Sequence, residues 1–344
     1  MAAYDLFDRH TDRLRTPSGR VASPTFTMTT ADVGILKSTL LPSIGLYSGL
    51  SLATFAAAKT TDRVELKDWL WPSGQVLNAW WSAIGRHMCE SGISFSDAWS
   101  GLPWTEKVLL GSVSLWGTRL FARIVGRSLA RGKDDSRYDA VKQERGFWKT
   151  ALFTTFLPEA LFLSVISLPF TVPFSMGDTT LSLRTDYQNT VRAFGAGLFS
   201  AGFALEVMAD TQLELHRQER DDLCRHGVWS IVRHPNYLGD TLVHLSFAVL
   251  NFADSFNPIV LLGPVANYVF LRFVGGDKQT EESQEVRYQV NDPTKYQQMR
   301  EWRQENNSFW PSVRDLANPW ALAVAGCGLI GVVVEEVLRT TYVM

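Results

Sequence analysis

Gly227-Val-Trp-Ser-Ile-Val-Arg233-His234-Pro235-Asn236-Tyr237-Leu-Gly239-Asp240 separates a polar connector from a long apolar run near the middle of the chain. Proline fits the first turn of a helix, where its missing N–H costs nothing, so a helix is predicted to begin at His234-Pro235. Its unpaired backbone N–H groups sit at the positive end of the helix dipole. With Arg233, His234 and Asn236 beside them they form a candidate anion site, though a basic membrane-surface anchor would use the same residues.

Outward from this stretch the apolar residues come in blocks, and the mean hydropathy of −0.03 conceals them because polar connectors lie between. Predicted spans cover about 33–58, 108–125, 147–170, 190–208, 238–252 and 258–274. Two further runs, 69–93 and 320–338, are less apolar. The first of these includes Asn78, Arg86 and His87 and is a candidate for the bundle interior. The fold class that follows is an all-α, polytopic integral membrane bundle of about six to eight transmembrane helices. Twelve tryptophans suit a protein with two membrane interfaces.

The expected organisation is a polar tail (1–30), N-terminal transmembrane helices (31–105), a membrane catalytic domain (106–311) and a C-terminal hydrophobic helix (312–344). Positive-inside reasoning puts the arginine-rich ends and the His234 motif on the cytoplasmic face. If 69–93 also spans, the N-terminus and its four arginines fall on the opposite side, so that segment is either re-entrant or those charges do not decide.

Net charge is −2 and no basic tract alternates with aromatics, which argues against a nucleic-acid partner. No disulfide framework is expected from the three cysteines. Cys224, His226 and His234 match no standard ligand spacing, so no metal is expected. There is neither a dinucleotide-binding glycine fingerprint, nor a phosphate loop, nor a hydrolase elbow.

Arg119, Arg123, Arg127 and Arg131 recur every four residues and form one helical face. Arg127 and Arg131 read as an anchor, whereas Arg119 lies within the apolar segment, where a charge needs a polar cavity. Glu206, Asp210 and Glu214 form a second stripe, with Gln212 nearby. Glu159, in the middle of an apolar run after Pro158, is either a functional carboxylate or part of a kink.

Trp116-x-x-Arg119-Leu120, Arg123, Asp135-Ser136-Arg137-Tyr138, Glu206-x-x-Ala209-Asp210-x-Gln212, the Gly227-to-Asp240 stretch, Glu282 to Arg287-Tyr288, Tyr296 and Phe309-Trp310-Pro311 together resemble the polytopic proteins with a steroid 5α-reductase C-terminal domain. The resemblance covers about 107–311. It implies a membrane reductase that takes hydride from NADPH to an activated C=C bond of a lipophilic, sterol- or terpenoid-like substrate. It also implies a cytoplasm-open cofactor cavity and an endoplasmic reticulum location.

Carried over, Asp210, Asn236 and Tyr237 would contact the nicotinamide half, and Arg233, Arg287 and Tyr288 the adenosine and phosphate end. Arg119, Arg123, Gln212 and His234 would complete the cofactor site. Asp240 stands where that family has Glu. As enone reduction builds charge on the carbonyl oxygen, an acid is needed; Tyr237 and Glu159 are the candidates, with the Asp240 carboxyl as a third catalytic residue. The first hundred residues match no substrate-reading motif. The isoprenylcysteine carboxyl methyltransferases, which use S-adenosylmethionine, share an Arg-His-Pro-x-Tyr-x-Gly motif followed by Glu-Glu, here Glu281-Glu282. A methyltransferase is therefore the alternative enzyme, and a non-enzymatic membrane protein keeping the fold the third reading.

Overall fold

Long apolar stretches in lipid satisfy their backbone groups only as helices or closed barrels, and this chain takes the helical solution. The computed structural model describes residues 33–175 and 185–343, and among them there is no strand. The polar segment 1–30 lies outside the described residues.

The principal helices are α1 (Leu36–Thr61), α2 (Leu66–Trp80), α3 (Trp104–Arg131), α4 (Phe147–Ile166), α5 (Thr185–Glu219), α6 (Pro235–Asp254), α7 (Leu262–Val269), α8 (Asp277–Asn291), α9 (Pro293–Glu305) and α10 (Pro319–Val343). Six helical runs among the described residues are long and apolar enough to cross a membrane: 36–61, 104–131, 147–166, 185–219, 258–291 and 319–342. The protein is thus a polytopic helical membrane bundle.

Helices α2 and α6 are not among the six, because each carries polar groups inward. Asn78 of α2 donates to Ser43 of α1 at 3.0 Å. Nε2 of His244, fully buried on α6, lies 3.0 Å from Gln75 Oε1. Residues 69–93 are helical except at the end, with a π-turn at Trp81–Gly85 where α2 passes into Arg86–Ser91; of the polar side chains expected in the interior, Asn78 is buried, whereas Arg86 and His87 are half-exposed.

Residues 34–344 form one compact unit, and the expected boundary at 105/106 falls inside α3. One core cluster takes Tyr47, Trp71, Trp116, Phe170, Phe199 and Phe247 from six segments of the chain, so α1 and α2 are packed into the same core as the later helices.

Helices α5 and α6 pack extensively on one another, with their approach set by two glycines. A Cβ on Gly239 would stand 2.6 Å from the Gly202 carbonyl oxygen, and one on Gly202 would stand 2.8 Å from the Gly239 carbonyl. Because the obstacle is backbone, no side-chain rotation relieves it. Gly239→Ala should therefore lower stability by about 1–3 kcal/mol in thermal melts of the detergent-solubilised protein. Gly45→Ala, with nothing within 4 Å, should leave the melt unchanged.

Candidate functional site

The two central motifs interlock through Gln212. Gly227 has φ +68, a left-handed conformation, and a Cβ there would stand 2.1 Å from Gln212 Oε1. The same oxygen accepts from the Val228 backbone N–H at 2.8 Å, and the Trp229 indole donates to the Ala209 carbonyl at 2.9 Å. This docks the loop on α5 and delivers the chain to His234-Pro235, where α6 begins as predicted. The backbone N–H groups of Arg233 and His234 donate to the Asn307 and Ser308 carbonyls, 3.0 Å each, which ties the segment after α9 to this start.

Glu281 of α8, outside the expected site residues, is the hub of the resulting network. Its Oε1 accepts from Arg233 Nε at 2.9 Å and lies 2.9 Å from His234 Nε2, while Oε2 accepts from Arg303 Nε at 3.0 Å. Its place in the Glu-Glu pair was the signal that could have found it. Tyr237 stacks on His234, centroids 5.4 Å apart and planes 5° from parallel, with its hydroxyl 3.3 Å from Thr280 Oγ1.

The arginine stripe of α3 meets the acidic stripe of α5. Arg119 donates to Glu206 Oε1 at 2.8 Å and to Asp210 Oδ2 at 2.5 Å; Arg123 donates to the Asp210 carbonyl at 3.1 Å and pairs with Glu214 at 3.1 Å. Asp240 braces the bundle by accepting from Trp116 Nε1 at 3.0 Å and Asn267 Nδ2 at 2.9 Å. Glu159 is salt-bridged to Lys67 of α2 at 2.6 Å, and the Lys67 ammonium lies 5.3 Å from the centre of the Tyr138 ring.

These groups surround one cavity of about 1290 Å³. Arg123, Glu159, Asp210, Arg233, His234, Asn236, Tyr237, Asp240, Arg287 and Tyr288 line it, as expected of site residues. Arg119 and Gln212 do not: one holds the acidic stripe, the other the Gly227 loop. Arg233 reaches the wall with its guanidinium paired to Glu281.

Arg127 and Arg131, expected to be anchors, also line the cavity. Arg131 pairs with Glu65 and Asp135, whereas Arg127, Arg217 and Arg220 have no carboxylate within ion-pair distance among the described residues. Arg287 meets only the Ser136 hydroxyl, 3.3 Å away, and lies over the Tyr288 ring at 5.1 Å. Toward α6, the wall atoms Asn236 Oδ1 and Glu206 Oε2 are buried without a hydrogen-bond partner. Buried polar groups are normally paired, so atoms of this kind mark where a ligand group completes the set.

Part of the wall is the connector between α3 and α4, where Arg137 donates to Asp68 at 2.7 Å and Tyr138 donates to the other oxygen of Asp68 at 2.7 Å. Beside them burial acts to raise the Asp135 carboxyl, but Arg137, through its charge and its backbone N–H, and Arg131 outweigh it and hold the group at about 2. A carboxyl lowered in the folded state stabilises above its unfolded value near 4, by roughly 2 kcal/mol here, and loses that contribution as pH falls toward 2. Asp135→Asn should accordingly melt earlier than wild type near neutral pH, with the gap closing on acidification below about pH 4.

No curated protein and no solved structure matches the chain. A family model described as a protein of unknown function, DUF1295, matches residues 54–301. That segment opens within α1, ends within α9 and takes in every residue lining the cavity except Trp302. The chain therefore belongs to the DUF1295 family.

Proposed function

We propose that this chain is a membrane-embedded, NADPH-dependent reductase of an activated C=C bond in a lipophilic substrate, working at the endoplasmic reticulum with its cavity open to the cytoplasm. The observation that carries this reading is the polarity of the cavity. Along α3 and α5 the unpaired guanidiniums of Arg127 and Arg217 lie about two to three turns beyond the unpartnered Glu206 acceptor and the apolar Leu120. The motifs similar to the steroid 5α-reductase C-terminal domain supply the same assignment of ends.

NADPH carries a pyrophosphate and a 2′-phosphate, which demand guanidiniums in bidentate geometry. Arg127, Arg217, Arg220 and Arg287 are suited to hold them, and the Tyr288 ring beside Arg287 offers a face to the adenine. Asn236 Oδ1 is suited to accept from the carboxamide of the nicotinamide. When bound, the cofactor supplies the hydride. Trp71, Leu120, Phe270 and Leu271 form apolar wall that beds the substrate and excludes water. As charge grows on the substrate's carbonyl oxygen, Tyr237 Oη donates the proton, the ring held in orientation by its stack on His234. Glu159, committed to Lys67, holds that ammonium in the wall and is not the acid.

Arg127→Ala, Arg217→Ala and Arg287→Ala should each weaken NADPH binding by roughly 1.5–3 kcal/mol, measured by calorimetry on the solubilised protein. Preference for NADPH over NADH should fall with each change and with rising salt. Arg233→Ala should instead lower the melting temperature of the cofactor-free protein, because it leaves Glu281 short of a partner. Stabilisation by S-adenosylhomocysteine alone, indifferent to these arginines, would make the chain a methyltransferase; no response to either ligand would favour a non-enzymatic role.

A further inference from the structure

The loop joining α5 to the His234-Pro235 start carries a cluster that the cavity's anion chemistry leaves unused. His216 near the end of α5, with Cys224 and His226 on the loop, brings two ring nitrogens and one thiol sulfur within 4.8 Å of one another. His216 and Cys224 are buried and His226 is exposed. His234, which the sequence placed near Cys224 and His226, faces Glu281 instead, and the third member comes from one helical turn before the end of α5.

The protonation of His216 follows from its neighbours. Nε2 stands 3.0 Å from the Asp222 carbonyl oxygen and 3.0 Å from Asp222 Oδ1. Both are acceptors, so Nε2 carries the hydrogen and Nδ1 presents a lone pair. That Nδ1 is buried, on a residue only 4% exposed, and has no hydrogen-bond partner. An imidazole whose far N–H is held by a carboxylate and a carbonyl, with its near nitrogen bare beside a thiol and a second imidazole, has the outer-shell arrangement typical of a metal ligand.

We propose that His216, Cys224 and His226 bind one divalent ion of the zinc class, through His216 Nδ1, Cys224 Sγ and a ring nitrogen of His226. Two imidazoles and a thiolate suit Zn²⁺ and exclude the oxygen-seeking Mg²⁺ and Ca²⁺. Three protein ligands leave the fourth tetrahedral position to water. Bonds of about 2.0–2.1 Å to nitrogen and about 2.3 Å to sulfur imply ligand atoms roughly 3.3–3.7 Å apart. The cluster therefore closes by about an ångström, with two of its three ligands on a loop and not on a helix. As the Cys224–metal bond forms, the thiol proton passes to solvent. The ion staples the loop that forms the cavity rim, since His216 and Cys224 both line the cavity beside Arg217 and Arg220.

The full-length protein in detergent, stripped with a chelator, is titrated with Co²⁺ and then Zn²⁺. The expected result is one Co²⁺ per chain with thiolate-to-cobalt charge-transfer absorption that Zn²⁺ bleaches. Cys224→Ser should abolish that absorption, and His216→Asn and His226→Asn should each lower affinity by at least ~10-fold. Cys89→Ser and Cys327→Ser should behave as wild type. In the unmodified chain Zn²⁺ should protect Cys224 from alkylation while exposed Cys89 stays reactive. A wild-type titration without a thiolate–cobalt band, or a band that survives Cys224→Ser, overturns the site, and the wild-type arms decide even where a variant fails to fold.

Discussion

One carboxylate holds the polar helix pair α8–α9 to the bundle. Glu281 receives Arg233, His234 and Arg303, so the start of α6 and the helices α8 and α9 meet at a single partly buried charge. Deleting one partner of such a network costs more than the network is worth in isolation, because the remaining charges stay buried without compensation. The wall bearing Thr280, Arg287 and Tyr288 is docked on the His234 motif by this contact together with the Tyr237–Thr280 hydroxyl pair and the backbone bonds to Asn307 and Ser308. The cavity is therefore an assembled object: its floor belongs to the membrane helices, and its far wall is a polar hairpin kept in place by electrostatics.

The charge pattern of the cavity is set by two stripes of unequal length. Arg119, Arg123, Arg127 and Arg131 repeat every four residues on α3, as Glu206, Asp210 and Glu214 do on α5. The helices run in the same sense where they meet, so Arg119 takes Glu206 and Asp210, and Arg123 takes Asp210 and Glu214. One turn further the acids have run out; α5 offers Gln218 and Arg217, and Arg127 has no carboxylate opposite it. Arg131 finds Glu65 and Asp135 instead. The unneutralised charge thus opens into the cavity at the register where one stripe stops before the other.

Both stripes were legible in the sequence, and so was the helix start at His234-Pro235, because each depends on local spacing. Which arginine would be left over was not, since that depends on the register between helices some ninety residues apart. The same limit hid the Lys67–Glu159 pair and the approach of His216 to Cys224 and His226. Gln212 reads as a cofactor ligand because it stands in the Glu206-to-Gln212 motif of the resemblance; the left-handed Gly227 backbone beneath its amide shows that it holds a loop. The run 69–93 was hard to grade as a span, and the predicted span 238–252 falls outside the six long apolar helices, for a related reason. Gln75, Asn78, Asp240 and His244 depress their hydropathy, yet those groups satisfy one another inside the bundle, where no lipid is met.

An interior arranged in this way is uneven in what it leaves unsatisfied. Asp240, His244 and Gln75 close on themselves and on Trp116 and Asn267, which gives the centre of the bundle a fixed polar core. At the cavity wall the balance is different. Guanidiniums there repel one another across a partly desolvated space, and two buried oxygens lack donors. Such groups are costly in the free protein, and a ligand bearing several negative charges and an amide offsets both costs at once. Stability and binding are coupled by that arrangement: a carboxylate opposite Arg127 would relieve the free protein, but it would also remove the attraction by which a cavity of this charge would select a polyanion.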